Sequence, residues 1–233
     1  MKILAVGMNY AAHNKELNEA LLPKEPVIFS KPDSALLRPG KPFFVPDFAE
    51  RFDYETELVV CISRIGKDIS ERFAHRYYES VTVGIDFTAR DLQSRLRKDG
   101  LPWELCKGFD GSAAVGTFIP KQELFNIPGC TAVTPEWKAS KTGGSHISEA
   151  CWQRLIQDIR FRLDIDGATV QEGHTADMMF SVDRIISYVS RFITLKTGDL
   201  IFTGTPVGVG PVHEGQRLKG YIGEKEVLDL RIR

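Results

Sequence analysis

Apolar positions along the 233-residue chain recur mainly in short runs separated by turn residues. "KILAV" (2–6), "EPVIFSKP" (25–32), "ELVVCIS" (57–63), "VTVGIDFTA" (81–89), "AAVGTFIP" (113–120), "FRLDIDG" (161–167), "DLIFTGTP" (199–206) and "VLDLRIR" (227–233) read as strands. Their length, alternation and β-branched content are those of strands that bury at least one face. Helical spacing is confined to "YAAHNKELNEALL" (10–22), "SERFAHRYYESV" (70–81) and "SVDRIISYVSRFI" (181–193). The pattern predicts an α+β, β-dominated fold. Two stretches rich in turn residues, 32–50 with four prolines and 128–150, interrupt it. No linker or internal repeat divides the chain, so 1–233 reads as a single domain with 128–150 as an insertion.

Composition narrows the class. A hydrophobic share of 42% supplies material for a sizeable core. Thirty basic residues against 31 acidic ones leave a formal charge of -1, with no run of like charge. That excludes a polyanion-binding face, and nucleic acid with it. No apolar stretch approaches the length of a membrane span, and the opening "MKILAVGMNYAAHNKE" lacks the long apolar core of a secretory leader, which places the protein in the cytoplasm. The four cysteines form no CxxC pair and read as reduced core thiols.

Candidate chemistry begins in "RFDYETELVV" (51–60), where Asp53, Glu55 and Glu57 alternate and run directly into an apolar strand. Strand geometry puts all three on one face. A solvated face on a half-exposed strand would account for that. Asp86, however, lies inside another apolar run, where an unpaired carboxylate is costly. Glu55 and Glu57 with a third carboxylate from another strand would make an all-oxygen site suited to Mg2+ or Mn2+ and unsuited to zinc. His13 and Glu16 stand three apart, on one side of a helix, as a surface pair or as a proton-transfer pair. Lys107, after an apolar stretch and before a glycine turn, is an inward cation or an ordinary surface lysine. "FTGTPVGVG" (202–210) offers a backbone able to approach an anionic ligand, without the lysine of a phosphate-binding loop.

Taken in order, "VGMNYAAHNKEL", "EPVIFSKP", "YETELVV", "GIDFTARDLQ", "KGFDG", "DGATVQEGHTADMMFSV" and "ITLKTGDLIFTGTPVGVG" resemble the fumarylacetoacetate hydrolase family over nearly the whole chain. The resemblance implies the mixed β-sandwich-like roll of that family's C-terminal domain, assembled as a homodimer. It implies a divalent metal on Glu55, Glu57 and Asp86, a catalytic dyad of His13 and Glu16, and a lysine, Lys107, beside the metal. It places Arg90, Gln93, Gln171 and Thr205 around a small 2-oxo acid substrate. One departure is Met8, where small members read G-R-N-Y; the lost charge implies a smaller or less charged substrate.

A metal that chelates the carboxylate and keto oxygens of a 2-oxo acid makes that end an electron sink. With His13 and Glu16 activating water, the expected reaction is hydrolysis of a carbon–carbon bond in a 2,4-diketo acid such as an acylpyruvate or fumarylpyruvate. The same site serves oxaloacetate decarboxylation or isomerisation of a 2-hydroxyhepta-2,4-diene-1,7-dioate type compound. A non-enzymatic metal- or ligand-binding protein on the same scaffold is the third reading.

Overall fold

The structure, a computed structural model, describes residues 1–16, 22–130 and 149–233; the side chains of residues 14–16 and 149–152 fall outside that description. Fifteen strands among these residues form three sheets. The largest contains β1 (Ile3–Gly7), β2 (Val27–Lys31), β3 (Leu36–Leu37), β5 (Thr56–Ile62), β6 (Tyr78–Asp86), β8 (Ala113–Val115), β9 (Ile119–Pro120) and β12 (Leu200–Phe202). Its order is β2-β1-β12-β5-β6-β8-β3, with β9 also on β6. The β1–β12 and β3–β8 pairs are parallel and the others antiparallel, so the sheet is mixed.

A second, antiparallel sheet has β10 (Arg160–Ile165), β11 (Ala168–His174), β14 (Arg217–Ile222) and β15 (Lys225–Arg231) in the order β11-β10-β14-β15. A third is a short ribbon, β13 (Gly210–Pro211), β4 (Phe52–Tyr54) and β7 (Thr88–Ala89). The helices are α1 (Ala11–Glu16), α2 (Arg90–Lys98), α3 (Glu104–Lys107), α4 (Lys121–Leu124), α5 (Glu149–Ile156) and α6 (Val182–Ser190). Among the described residues no helix is long and apolar enough to cross a membrane.

The central strands β5 and β6 are buried over most of their length because both of their faces are covered. On one side Leu58, Val60, Ile62, Val81 and Val83 pack with Ile185, Ile186 and Val189 of α6 and with Phe161 and Ile222 of the second sheet. On the other, Val59 meets Ile3, Ala5 and Phe202. A further cluster joins Ile85 to Leu163, Leu218 and Leu228 and to Phe43, Phe52 and Phe87. Phe43 and Phe87 stack with centroids 3.9 Å apart.

Two expectations change. The helix expected over 70–81 is a 3-10 turn at Glu71–Arg76, after which β6 begins at Tyr78. Val81 is then committed to pairing with Val60, and Tyr78 with Ile62; tertiary pairing overrides a helical period that lasts one turn. The continuous strand expected over 51–60 breaks at Glu55. Residues 52–54 belong to the small ribbon and 56–62 to the large sheet, so the acidic run passes from one sheet to another. Within the expected 128–150 insertion, residues 131–148 lie outside the described residues.

Candidate active site

The carboxylates meet because of the β5–β6 register. Thr56 lies opposite Ile85 and Glu57 opposite Gly84, and the Asp86 N–H donates to the Glu55 carbonyl at 2.9 Å. With a period of two, Glu55, Glu57 and Asp86 share a face, Asp86 across from Glu55 and a glycine across from Glu57. One oxygen from each lies within 4.8 Å of the others, and all three residues are buried. Like charges at such spacing in a sheet are destabilising without cations.

Those cations are present. Lys107, at the end of α3, donates from Nζ to Glu55 Oε2 at 2.7 Å, Asp86 Oδ2 at 2.8 Å and Thr88 Oγ1 at 2.7 Å. Lys31, at the end of β2, reaches Asp86 Oδ1 at 2.6 Å and donates to the Lys107 carbonyl and to Ser112. Arg90 opens α2 and spends its head on three partners: Nε to Asp53 Oδ2 at 2.8 Å, Nη2 to Glu55 Oε1 at 2.7 Å and Nη1 to Gln93 Oε1 at 2.6 Å. Asp53, the first acid of the sequence run, therefore faces Arg90 and Arg51 and stands apart from the triad.

Protonation follows from these contacts. Burial pushes Glu55 up, but Lys107 and Arg90 outweigh it and hold its carboxyl well below the usual range. Burial works against the Lys107 ammonium, yet Asp86 and Glu55 raise its pKa. Burial lowers Lys31 despite the pull of Asp86. Glu57 goes the other way: burial, then the charges of Asp86 and Glu55, push it well above its ordinary value, and the Gly204 N–H at 2.6 Å offsets only part of that. Lys107, Lys31 and Arg90 thus contact Glu55 and Asp86, whereas the contact to Glu57 is the Gly204 N–H. A divalent ion held by the three carboxylates would bring positive charge to Glu57, and the oxygen-only donor set fits Mg2+ or Mn2+.

The glycine-rich segment acts through Gly204. Its φ of +97° is left-handed, and a Cβ there would lie 2.7 Å from the Asn9 Cβ. Only glycine lets the N–H of this loop reach Glu57. The backbone expected to approach an anionic ligand approaches a protein carboxylate instead. Asn9 fixes the loop from the other side, donating to the Thr203 carbonyl at 2.7 Å and the Phe180 carbonyl at 3.0 Å. Met8 before it adopts φ +62°, also left-handed.

A small pocket opens over the triad, lined by His13, Met8, Phe29, Trp103, Arg90, Gln93, Arg97, Lys107 and Thr205 along with the carboxylates. His13, on α1, is buried; the Glu16 side chain lies outside the described residues. Gln171 stands behind the wall. It accepts from the Thr56 N–H at 3.0 Å and donates to Thr205 Oγ1 at 2.8 Å and the Pro206 carbonyl at 2.9 Å, tying the 205–206 loop to β5. Sequence reasoning missed Lys31, Arg97 and Trp103. Arg90, Gln93 and Arg97 follow the i, i+3, i+7 spacing of a helix face, a signal available in the sequence but obscured by the strand-like residues before it.

A β-dominated roll thus carries a buried carboxylate–lysine cluster, able to hold a metal, at the floor of a pocket. The chain belongs to the fumarylacetoacetate hydrolase family: residues 2–232 match the fumarylacetoacetate (FAA) hydrolase C-terminal family. It is 38% identical over 231 residues to the mitochondrial oxaloacetate tautomerase FAHD1 of Mus musculus, covering 99% of this chain and 90% of that protein. The fumarylpyruvate hydrolase of Pseudomonas aeruginosa, solved with Mn2+ and pyruvate, superposes with a TM-score of 0.79 at 34% identity, over 100% of this chain and 89% of that one. The 2-hydroxyhepta-2,4-diene-1,7-dioate isomerase of Mycobacterium marinum gives 0.73 at 30% identity, over 99% and 73%.

Proposed function

We propose that the protein is a divalent-metal-dependent enzyme that interconverts the keto and enol forms of a small 2-oxo acid, with oxaloacetate as its first substrate. The observation that carries this reading is the triad of Glu55, Glu57 and Asp86 with the Lys107 ammonium bound into it, at the floor of a pocket that His13 lines. Glu55, Glu57 and Asp86 would hold the metal, which when bound supplies Lewis-acid polarisation of the carboxylate and keto oxygens. Lys107 and Arg90 provide fixed positive charge where negative charge develops on the C2 oxygen. His13 carries the proton between C3 and the C2 oxygen, taking it from one and delivering it to the other. Phe29 and Trp103 wall the pocket and exclude water. The 38% likeness to an oxaloacetate tautomerase favours this substrate.

Hydrolysis of a 2,4-diketo acid is the second reading, favoured by the H-x-x-E pair His13 and Glu16 and by the likeness to fumarylpyruvate hydrolase. There His13 and Glu16 deprotonate water, and the departing pyruvate leaves as the same type of enolate. Metal-stripped protein, with and without Mg2+ or Mn2+, tests both on oxaloacetate, acetylpyruvate, fumarylpyruvate and a dienedioate, following enol absorbance, pyruvate and CO2. Metal-dependent loss of oxaloacetate enol without CO2 is expected. Pyruvate release from a diketo acid alone would move the assignment to the hydrolase, and CO2 from oxaloacetate to the decarboxylase. Silence on all four, with metal bound, would sink the enzymatic reading.

A further inference from the structure

We propose that Lys31 is a positioning residue: by holding one oxygen of Asp86 it leaves a single oxygen for an ion, and so makes the triad selective for Mg2+ over Ca2+. The inference rests on the reading of Glu55, Glu57 and Asp86 as the site that holds a divalent metal.

Two observations carry it. The first is that each carboxylate of the triad has one oxygen tied to a donor of its own. Lys31 Nζ lies 2.6 Å from Asp86 Oδ1. Arg90 Nη2 donates to Glu55 Oε1 at 2.7 Å, and the Gly204 N–H donates to Glu57 Oε2 at 2.6 Å. Lys107 takes the other oxygen of two of the acids, Glu55 Oε2 and Asp86 Oδ2. Lys107 lines the pocket and Lys31 does not, so Lys107 marks the side from which an ion enters and Lys31 the side away from it. The second observation is that Lys31 has nowhere to withdraw. Its side chain is 0% exposed, and besides Asp86 it reaches the Lys107 carbonyl, the Ser112 carbonyl at 3.2 Å and Ser112 Oγ at 3.1 Å. Ser112 is tied in turn to both neighbours of the pair. Its Oγ donates to the Lys107 carbonyl at 2.8 Å, and its own carbonyl accepts from the N–H of Phe87, the residue after Asp86, at 2.9 Å.

The two ions ask different things of a carboxylate. Ca2+ takes six to eight oxygens in a flexible arrangement and commonly uses both oxygens of one carboxylate. Mg2+ demands a near-ideal octahedron at about 2.0–2.1 Å, whose right angles the two oxygens of one carboxylate are too close together to span. For Asp86 to offer both oxygens it must leave Lys31, whose enclosed head then loses its counter-charge, a costly state. Ca2+ therefore forfeits its higher coordination while Mg2+ forfeits nothing. Arg90 on Glu55 and Gly204 on Glu57 act in the same direction. Lys31 isolates the effect, because removing it takes no group from the pocket lining and puts no strain on the backbone.

Calorimetric titration of metal-stripped protein with Mg2+ and with Ca2+ gives the ratio of the two dissociation constants. The native protein is expected to bind Mg2+ more tightly. Lys31→Met should cut that preference about tenfold or more, the scale of one charge-assisted contact. Lys31→Gln, which keeps a shorter donor, should move the ratio part of the way. Ser112→Ala loosens the same surroundings but leaves Lys31 on Asp86, and should keep the native ratio. A Lys31 that only supports the fold would weaken both ions alike; an unchanged ratio in its variants, or an equal change in Ser112→Ala, overturns the inference while leaving the metal site standing. Native protein that binds Ca2+ as tightly as Mg2+ overturns it without any variant. Native protein that binds neither ion overturns the reading of the triad and this inference together.

Discussion

Two sets of ion pairs in this molecule share contact distances and differ in surroundings. On the β14–β15 hairpin, Arg217 meets Asp229 at 2.6 and 2.8 Å and Lys219 meets Glu226 at 2.7 Å, all four residues at the surface. Under the pocket, Lys107 meets Glu55 and Asp86 at 2.7 and 2.8 Å with side chains almost wholly enclosed. Both hold their cations charged, and Arg217 and Lys107 have raised pKa values. Water screens the hairpin pairs and supplies substitutes when one partner leaves, so those contacts are interchangeable. The enclosed groups have only each other, and removing one leaves the rest uncompensated. Distance alone does not separate a surface contact from a functional one; enclosure does.

The sharpest way to break the comparison is to remove a cation from each set. Lys107→Met should destabilise the metal-free protein by about 3 to 5 kcal/mol, because Glu55 and Asp86 lose their shared partner. Urea denaturation measures it, and added Mn2+ should restore part of the loss. A loss no larger than that of a surface lysine would mean that water enters the cluster.

Gly204→Ala should cost about 1 to 3 kcal/mol, from a left-handed backbone and a collision with Asn9. It should also weaken Mn2+ binding, since the N–H that steadies Glu57 moves; stability lost with metal affinity intact would assign Gly204 to packing alone.

Acidity probes the enclosed set from another side. Glu57 is raised above its ordinary 4.5, so between that value and its raised one the metal-free fold carries a proton that the unfolded chain has released. Native protein binds more protons than unfolded protein there, so this group contributes a stability that is lost as pH climbs through the window. Metal must expel the same proton. Mn2+ affinity should therefore rise about tenfold per pH unit within the window and level off above it. A flat profile would mean that Glu57 binds no metal. At the small end, Arg217→Ala should leave the urea midpoint unresolved from native, and a clear shift would show the hairpin pair acting as more than a solvated contact.

Most strands were legible in the sequence because burial of at least one face writes itself as period two or as a continuous apolar run. β1, β2, β5, β6, β10, β12 and β15 all overlap runs that read as strands. The ends were not legible: the 70–81 segment has helical spacing yet gives way to β6, since Tyr78 and Val81 gain more by pairing with β5 than by continuing a turn. At the site, the alternation of Glu55 and Glu57 pointed to a shared face, while the place of Lys107 after an apolar stretch suited an inward cation and a surface lysine alike. Lys31 gave no signal of its own, as a lysine closing an edge strand is ordinarily solvated. Gln171 is buried behind the pocket wall because its amide has three backbone and hydroxyl partners there, which no spacing announces.

The sequence by itself determined which segments extend, which face of β5 carries acid, and that carboxylates stand within apolar runs where they need cations. Those are local consequences of strand geometry and of the cost of burying charge. Only the tertiary structure decided that Asp86 lies across from Glu55, that Gly84 lies across from Glu57, and that α3, β2 and α2 bring Lys107, Lys31 and Arg90 to the same place. It also separated Asp53 from the acids beside it in the chain, by ending one sheet and beginning another at Glu55. The physical reason is that residues distant along the chain are paired by sheet register, and a shift of one residue would turn every one of these side chains to the opposite face.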